Sequence, residues 1–128
     1  MHDAMIDWPM ICCPGQTLIP RAVIERLGPF ADGGAQDYDY FLRIAQRYPI
    51  VFHRQVLAGW RYRRDSMSGE RRLRLLTWTL YMLPVLGAHA ARCETDWERA
   101  LVARTIARHT REIVEAVTAM STIGGSRQ

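Results

Sequence analysis

Two carboxylates, Asp37 and Asp39, lie two residues apart in the stretch QDYDYFLRIAQR, directly after a loop that contains Gly33 and Gly34. A carboxylate at a helix N-terminus stays ionised at neutral pH, because the helix dipole and the free amide groups favour the charge. Such a group can accept a proton from a hydroxyl, as a general base does. Aspartate is also a common N-cap residue. The stretch therefore indicates either a helix cap or a catalytic base at Asp37.

A second stretch, GWRYRRDSMS, combines positive charge with hydroxyl groups. Strand alternation would place Trp60 on the face opposite to the first arginine. Guanidinium and hydroxyl groups both bind phosphate oxygens, so the stretch predicts a diphosphate site. The alternative is an edge strand whose arginines prevent edge-to-edge aggregation. The residues concerned are Arg61, Arg63, Arg64, Ser66 and Ser68.

Composition limits the partners that the chain can have. The 128 residues suit one domain, and the net charge of +4 comes from arginine alone, since the sequence contains no lysine. The basic residues are spread among acidic residues rather than gathered on one basic stripe, and no recognition motif is present, so we expect no nucleic-acid binding. The cysteines, Cys12, Cys13 and Cys93, form no CxxC motif and therefore predict neither a disulfide framework nor a zinc finger. A reducing, cytoplasmic setting follows from this cysteine usage.

The histidines show no metal-binding pattern in the sequence. His2, His89 and His109 are far apart along the chain, and no two of them have the i, i+4 spacing of helical ligands. The sequence therefore predicts no metal ligands.

Residues 1–69 mix short apolar runs with glycine and proline. They predict strands at 16–20, 50–53 and 56–62, with helices at 20–28 and 37–48. Residues 70–120 are predicted to be helical, and 121–128 a flexible tail. The predicted fold class is mixed α/β: short strands with helices, followed by a C-terminal antiparallel helical pair.

The second helix of this pair has a clear start. Thr95 and Glu98 in TDWE form a capping box, and Val102, Ile106, Ile113 and Val117 recur at helical spacing as its inner face. The first helix contains the most apolar stretch, 75–91, preceded by RRLR. This pattern fits a core helix or an interfacial helix held against anionic lipid.

Three stretches occur in the order LIPRAVIERLGPF, QDYDYFLRIAQR and WRYRRDSMS. In this order and spacing they resemble the C-terminal half of the catalytic domain of the family 2 glycosyltransferases. The resemblance covers residues 11–69, near half of the chain. It implies part of a nucleotide-diphospho-sugar transferase fold of the A type, in an enzyme that inverts the sugar configuration.

The resemblance implies a role for each matching residue. Asp37 falls on the family's general base, which takes the proton from the acceptor hydroxyl as its oxygen attacks the anomeric carbon. Gln36 and Asp39 fall on the acceptor side, with Gln16 and Trp60 as further acceptor or substrate contacts. The diphosphate would lie against Arg61, Arg63, Arg64, Ser66 and Ser68.

The chain departs from the family pattern in several places. Gln36 replaces a glutamate, and Arg63 replaces a histidine that helps to hold the metal or the diphosphate. Arginine cannot ligate a metal but can neutralise a diphosphate. No nucleotide-binding half and no Asp-x-Asp strand end precede these motifs. We therefore expect no cofactor in this chain, Mg²⁺ or Mn²⁺ in a complete enzyme, and no activity of the isolated chain.

The resemblance also implies partners and a location. The substrates would be a nucleotide-sugar and a glycan or lipid-linked acceptor of cell-envelope polysaccharide, and a missing N-terminal half would supply the donor site. The protein would be cytoplasmic, in peripheral contact with the inner face of the membrane. The alternative is a non-catalytic, truncated remnant that acts as an interaction or membrane-associating module and self-associates through an uncovered sheet edge.

Overall fold

The computed structural model describes residues 1–11, 13–59, 61 and 71–124. Five α-helices and one 3-10 turn make up its regular structure. In chain order they are α1 (His2–Asp7), the 3-10 turn (Pro14–Gln16), α2 (Arg21–Leu27), α3 (Gln36–Arg47), α4 (Arg71–Ala90) and α5 (Asp96–Gly124).

Helix α3 lies at the centre of the fold and contacts α1, α2 and α4. Its buried residues include Tyr38, Phe41 and Leu42, which recur at three- and four-residue spacing and so form one apolar face. The helix ends at Arg47, one residue before the predicted end, because Pro49 disfavours helical backbone at Tyr48.

Helices α4 and α5 pack against each other and are joined by residues 91–95, which confirms the predicted pair of helices. The capping box is also present: Oε2 of Glu98 accepts from the Thr95 amide, and the Thr95 hydroxyl accepts from the Glu98 amide. Val102 is buried and Ile113 half-buried, but Val117 is 48% exposed, so the predicted inner face of α5 ends before it.

Helix α1 is not predicted by the sequence pattern. It has only six residues and no side-chain cap, so its stability must come from packing. Met5 and Ile6 are fully buried, and the hydroxyl of Tyr38 donates to the carbonyl of Ile6 at 3.1 Å. Arg108 of α5 forms an ion pair with Asp7 at 2.8 Å. Helix α1 is thus held by α3 and α5.

The predicted mixed α/β fold class is wrong for the described residues, which are helical and contain no strand. Residues 17–20 and 49–59 have little regular structure, although we expected strands at 16–20, 50–53 and 56–62. Apolar, β-branched residues favour a strand only where a neighbouring strand satisfies the backbone, and no described residue supplies that neighbour. The end of the last predicted strand and the predicted loop after it lie largely outside the described residues.

Candidate functional site

A surface cavity of about 340 Å³ lies between the start of α3 and the second half of α4. Its walls combine a loop of small residues with polar groups and one aromatic ring. The lining residues are Ala31, Asp32, Gly33, Gly34, Gln36, Asp39, Tyr81, Pro84, Val85, Ala88 and Arg92. We call it the Gly33 cavity. Amide, carboxylate and guanidinium groups beside an aromatic ring can bind a polar ligand that also has apolar faces, as a sugar has.

The loop approaches α4 closely because Gly34 has no side chain. A Cβ atom at Gly34 would lie only 2.2 Å from Cδ1 of Tyr81, so any larger residue would displace the ring. Gly33 has φ +115°, a backbone conformation that other residues rarely adopt. These two glycines therefore set the shape of the cavity wall.

Asp39 lines the Gly33 cavity and forms ion pairs with two arginines. Its Oδ2 accepts from Nε of Arg43 at 2.9 Å, and its Oδ1 accepts from Nη2 of Arg92 at 2.7 Å. Arg43 also donates to the carbonyls of Leu27 and Pro29, at 2.9 and 3.2 Å. Through Arg43, Asp39 connects α3 to the turn after α2. Through Arg92, it connects α3 to the residues just after α4. Its main role in this arrangement is structural, although it borders the cavity.

Asp37 is half-buried and does not line the Gly33 cavity. The prediction that it is the N-cap of α3 is wrong. That position belongs to Ala35, whose φ of 54° is left-handed, and Asp37 lies within the first turn. There its Oδ1 accepts from the amide of Tyr38 at 2.9 Å, so it satisfies a free first-turn amide from inside the helix.

The other predicted site residues lie apart from the cavity or outside the described residues. Gln16 belongs to the 3-10 turn, where its Oε1 accepts from the Cys13 amide at 3.2 Å. Arg61 is exposed and does not line the cavity. The remaining predicted residues are outside the described part of the chain: Trp60, Arg63, Arg64, Ser66 and Ser68.

A second polar cluster lies where α1 meets α4 and α5. Nδ1 of His2 is 3.0 Å from Oε1 of Glu98, and Nε2 of His2 is 2.9 Å from Nε2 of His89. One ligand atom from each of His2, Asp3 and Glu98 lies within 4.8 Å of the others, a grouping that could hold a metal ion. We call these four residues the His2 cluster.

Burial and charge set the protonation of the His2 cluster. His89 is fully buried, and this desolvation lowers its pKa to about 4, assisted by the positive charges of His2 and Arg92. Burial opposes the charge of Glu98, but the backbone amides of Thr95 and Glu94 and the ring of His2 outweigh it and lower the pKa of Glu98. His89 is therefore neutral and Glu98 ionised near pH 7.

Sequence reasoning missed the His2 cluster and the part that Arg92 takes in the Gly33 cavity. The search for histidine pairs at i, i+4 spacing could not detect the His2 cluster. His2 and His89 come together only because α1 packs against the rest of the molecule. The one signal in the sequence was the capping box. The capping box identified Glu98 as a residue with a local role. That role involves only Oε2, so nothing in the sequence indicates that Oε1 contacts His2.

The described helices are also too short or too polar for any of them to cross a membrane. Comparison of this chain with protein-family models, with curated proteins and with solved structures finds no match.

Proposed function

We propose that this chain is the acceptor-binding part of an inverting glycosyltransferase. Three ordered motifs support the proposal through their resemblance to family 2 enzymes. The observation that carries it furthest is the Gly33 cavity, whose wall is formed by the loop and the first turns of the second motif, including Gln36 and Asp39. In this proposal the cavity binds a sugar ring of a glycan or lipid-linked acceptor.

The cavity has the chemistry that a sugar ring needs. Gln36 is exposed at the start of α3 and offers both a donor and an acceptor to hydroxyl groups. Tyr81 lines the cavity and is 49% exposed, and an exposed aromatic ring can stack on the apolar face of a sugar. Arg92, held by Asp39, contributes donors whose orientation is fixed.

The proposed chemistry is a single displacement. The carboxylate of Asp37, which lies next to the lining residue Gln36 but outside the Gly33 cavity, would take the proton of an acceptor hydroxyl that projects from the cavity. The oxygen of that hydroxyl forms a bond to the anomeric carbon of the donor sugar. The bond from that carbon to the nucleoside diphosphate breaks on the opposite face, and the diphosphate leaves with the electron pair. The donor half of the protein, with any Mg²⁺ or Mn²⁺, and Arg61 would bind that leaving group at the cytoplasmic face of a membrane.

Sugar binding can be tested on the chain itself. We expect mono- and oligosaccharides, titrated into the isotope-labelled chain, to shift the backbone NMR signals of Gly33, Gly34 and Gln36. Gln36→Ala should weaken the binding of the best sugar about fivefold or more, because it removes hydrogen bonds worth about 1 kcal/mol. Gln55→Ala, at an exposed position far along the chain, is the matched control. If no sugar moves these signals, the acceptor site is not in this cavity.

The role of Asp37 requires the transferase assembled with its donor half. Asp37→Asn should lower turnover by about 10²- to 10⁴-fold, the range for loss of a general base, without changing the affinity for the acceptor. Asp96→Asn, at an exposed position outside the cavity, should retain turnover within a few-fold. An Asp37→Asn enzyme with normal turnover would remove Asp37 from the mechanism.

A second candidate, a non-catalytic interaction module, is favoured by one specific feature. Residues 51–59, which we call the exposed segment, are all solvent-exposed and include Val51 at 89%, Val56 at 95% and Leu57 at 76% exposure. Large apolar side chains clustered at the surface are typical of association sites. Light scattering during gel filtration would decide: concentration-dependent dimers that Val56→Lys abolishes favour this candidate, and a monomer at all concentrations excludes self-association through the segment.

A further inference from the structure

Three side chains from α1 and α5 bring polar atoms to a common point at the surface. Nδ1 of His2 and Oε1 of Glu98 are 3.0 Å apart, close to the separation of two atoms that bind the same ion. Asp3 brings a carboxylate oxygen into the same group, in which the ligand atoms all lie within 4.8 Å of one another. His2 and Glu98 are half-buried and Asp3 is exposed.

A hydrogen bond from another residue orients each of these side chains. Oδ2 of Asp3 accepts from Nε1 of Trp97 at 3.0 Å. Oε2 of Glu98 accepts from the amides of Glu94 and Thr95, at 2.8 and 3.1 Å.

Nε2 of His2, the nitrogen that does not face Glu98, is bound to Nε2 of His89 at 2.9 Å. Each of the three residues is therefore anchored through one polar atom. Nδ1 of His2 and Oε1 of Glu98 bind each other at 3.0 Å, and the ion would replace that hydrogen bond. Protein metal sites are built in this way, with outer residues that hold the ligands in place.

We propose that His2, Asp3 and Glu98 bind a divalent transition-metal ion of the Zn²⁺ type. One imidazole nitrogen and two carboxylate oxygens form a ligand set that suits zinc, whereas Mg²⁺ prefers oxygen ligands and retained water. The two carboxylates balance the charge of the ion. Because Asp3 is exposed, the fourth position is open to water. This site does not depend on the proposed sugar transfer.

The proton positions follow from the ligand set. An ion on Nδ1 requires the proton of His2 to be on Nε2, which then donates to Nε2 of His89. Nε2 of the buried His89 lies 2.9 Å from Nε2 of His2 and can accept this bond. The proton of His89 is then on Nδ1, a buried atom with no hydrogen-bond partner in the described part of the chain. That unpaired group limits the affinity of the site for the ion.

The test is calorimetric titration of the chain with ZnCl₂ and, separately, MgCl₂. It should be made in a Cys12→Ser/Cys13→Ser background, because thiolates bind zinc by themselves. We expect one zinc per chain and no Mg²⁺ binding at the same concentrations. Asp3→Asn and Glu98→Gln should each weaken zinc binding at least tenfold, and circular dichroism should show that both variants retain their helices.

Two further variants separate a built site from charge alone. Trp97→Phe keeps a ring but removes the donor that orients Asp3, and we expect about 10-fold weaker zinc binding, as for loss of an outer-shell partner. Asp96→Asn removes an exposed carboxylate of the same helix turn that pairs with Arg99, and should leave zinc binding unchanged. Equal losses in both variants would show that general negative charge, not this geometry, attracts the ion.

Two results would overturn the proposal. Zinc binding that survives in the Asp3→Asn/Glu98→Gln double variant would place the ion elsewhere. A His89→Leu variant that loses zinc far more than Asp3→Asn does would place the ion between the two imidazole rings, with a different ligand set.

Discussion

Helix α3 and the exposed segment are neighbours along the chain, but they are held in very different ways. In α3, Tyr38, Phe41 and Leu42 are buried against three other helices, and Asp39 joins two arginines. In the exposed segment every residue is solvent-exposed, and its backbone bond from Gln55 goes only to the nearby ring of His53 at 3.3 Å.

The difference shows what each region requires from the rest of the protein. A helix satisfies its backbone internally and needs only one covered face. A strand finds its backbone partners in a neighbouring strand, and residues 51–59 find none in the described chain, so their exposed backbone is left to bond with water. The substitutions below compare residues of the same type at well-packed and at exposed positions. For each pair, a similar effect at both positions would contradict this difference.

The largest expected difference comes from two leucines. Leu42→Ala should lower the free energy of unfolding by about 3 kcal/mol, because Leu42 is 0% exposed and the variant leaves a cavity in the core. Leu57→Ala should change it by less than about 0.5 kcal/mol, because Leu57 is 76% exposed. Urea denaturation followed by circular dichroism measures both. A loss above 1 kcal/mol at Leu57 would show that the exposed segment is packed in solution.

The next largest effect separates the two aspartates of the second motif. Asp39→Asn removes the negative charge between Arg43 and Arg92, and should lower the free energy of unfolding by about 2 to 3 kcal/mol. Asp37→Asn loses only a favourable interaction with the helix dipole, and should cost less than about 1 kcal/mol. Equal losses in urea denaturation would contradict the assignment of Asp39 as the structural residue and Asp37 as the one available for chemistry.

The sequence predicts some parts of this molecule well because their causes are local. The end of α2 near Gly28, the end of α3 before Pro49 and the Thr95–Glu98 capping box depend only on residues a few positions apart. The strands were predicted wrongly because β-branched residues show a preference but do not supply a partner strand.

The candidate sites divide in the same way. Gln36 and Asp39 could be chosen from their motif, and both border the Gly33 cavity. The role of Arg92 and the contact of His2 with His89 could not be predicted from the sequence. Both depend on α1, α3 and the end of α4, which meet only after the chain has folded. Helix α1 itself has no cap and few residues, so no local pattern indicates it.

A third comparison concerns two histidines and pH. The pKa of His89 is lowered from the ordinary value of 6.5 to about 4, mainly by burial and also by the positive charges of His2 and Arg92. The carboxylates of Asp39 and Glu98 act in the opposite direction but are outweighed. The unfolded chain therefore binds the proton more tightly between pH 4 and pH 6.5. Stability should rise with pH across this window and level off above it.

In metal-free buffer, the free energy of unfolding at pH 7 should exceed that at pH 5 by on the order of 2 kcal/mol. His89→Gln should remove most of this difference, and His53→Gln, in the exposed segment, should preserve it. If the stability difference between pH 5 and pH 7 persists in His89→Gln, another titrating group causes it.

The smallest expected effect uses two glycines that both have open space for a methyl group. Gly87 lies inside α4 and Gly59 in the exposed segment, and a Cβ at either position meets no atom within 4 Å. Gly87→Ala should stabilise the protein by about 1 kcal/mol, because glycine in a helix loses more backbone entropy on folding than alanine.

Gly59→Ala should leave stability unchanged, because that backbone is solvated in the folded and unfolded chain alike and alanine restricts both equally. Urea denaturation of the two variants side by side measures the contrast. If Gly59→Ala proves as stabilising as Gly87→Ala, the exposed segment is ordered by folding, and a surface of the helical core must hold it in place.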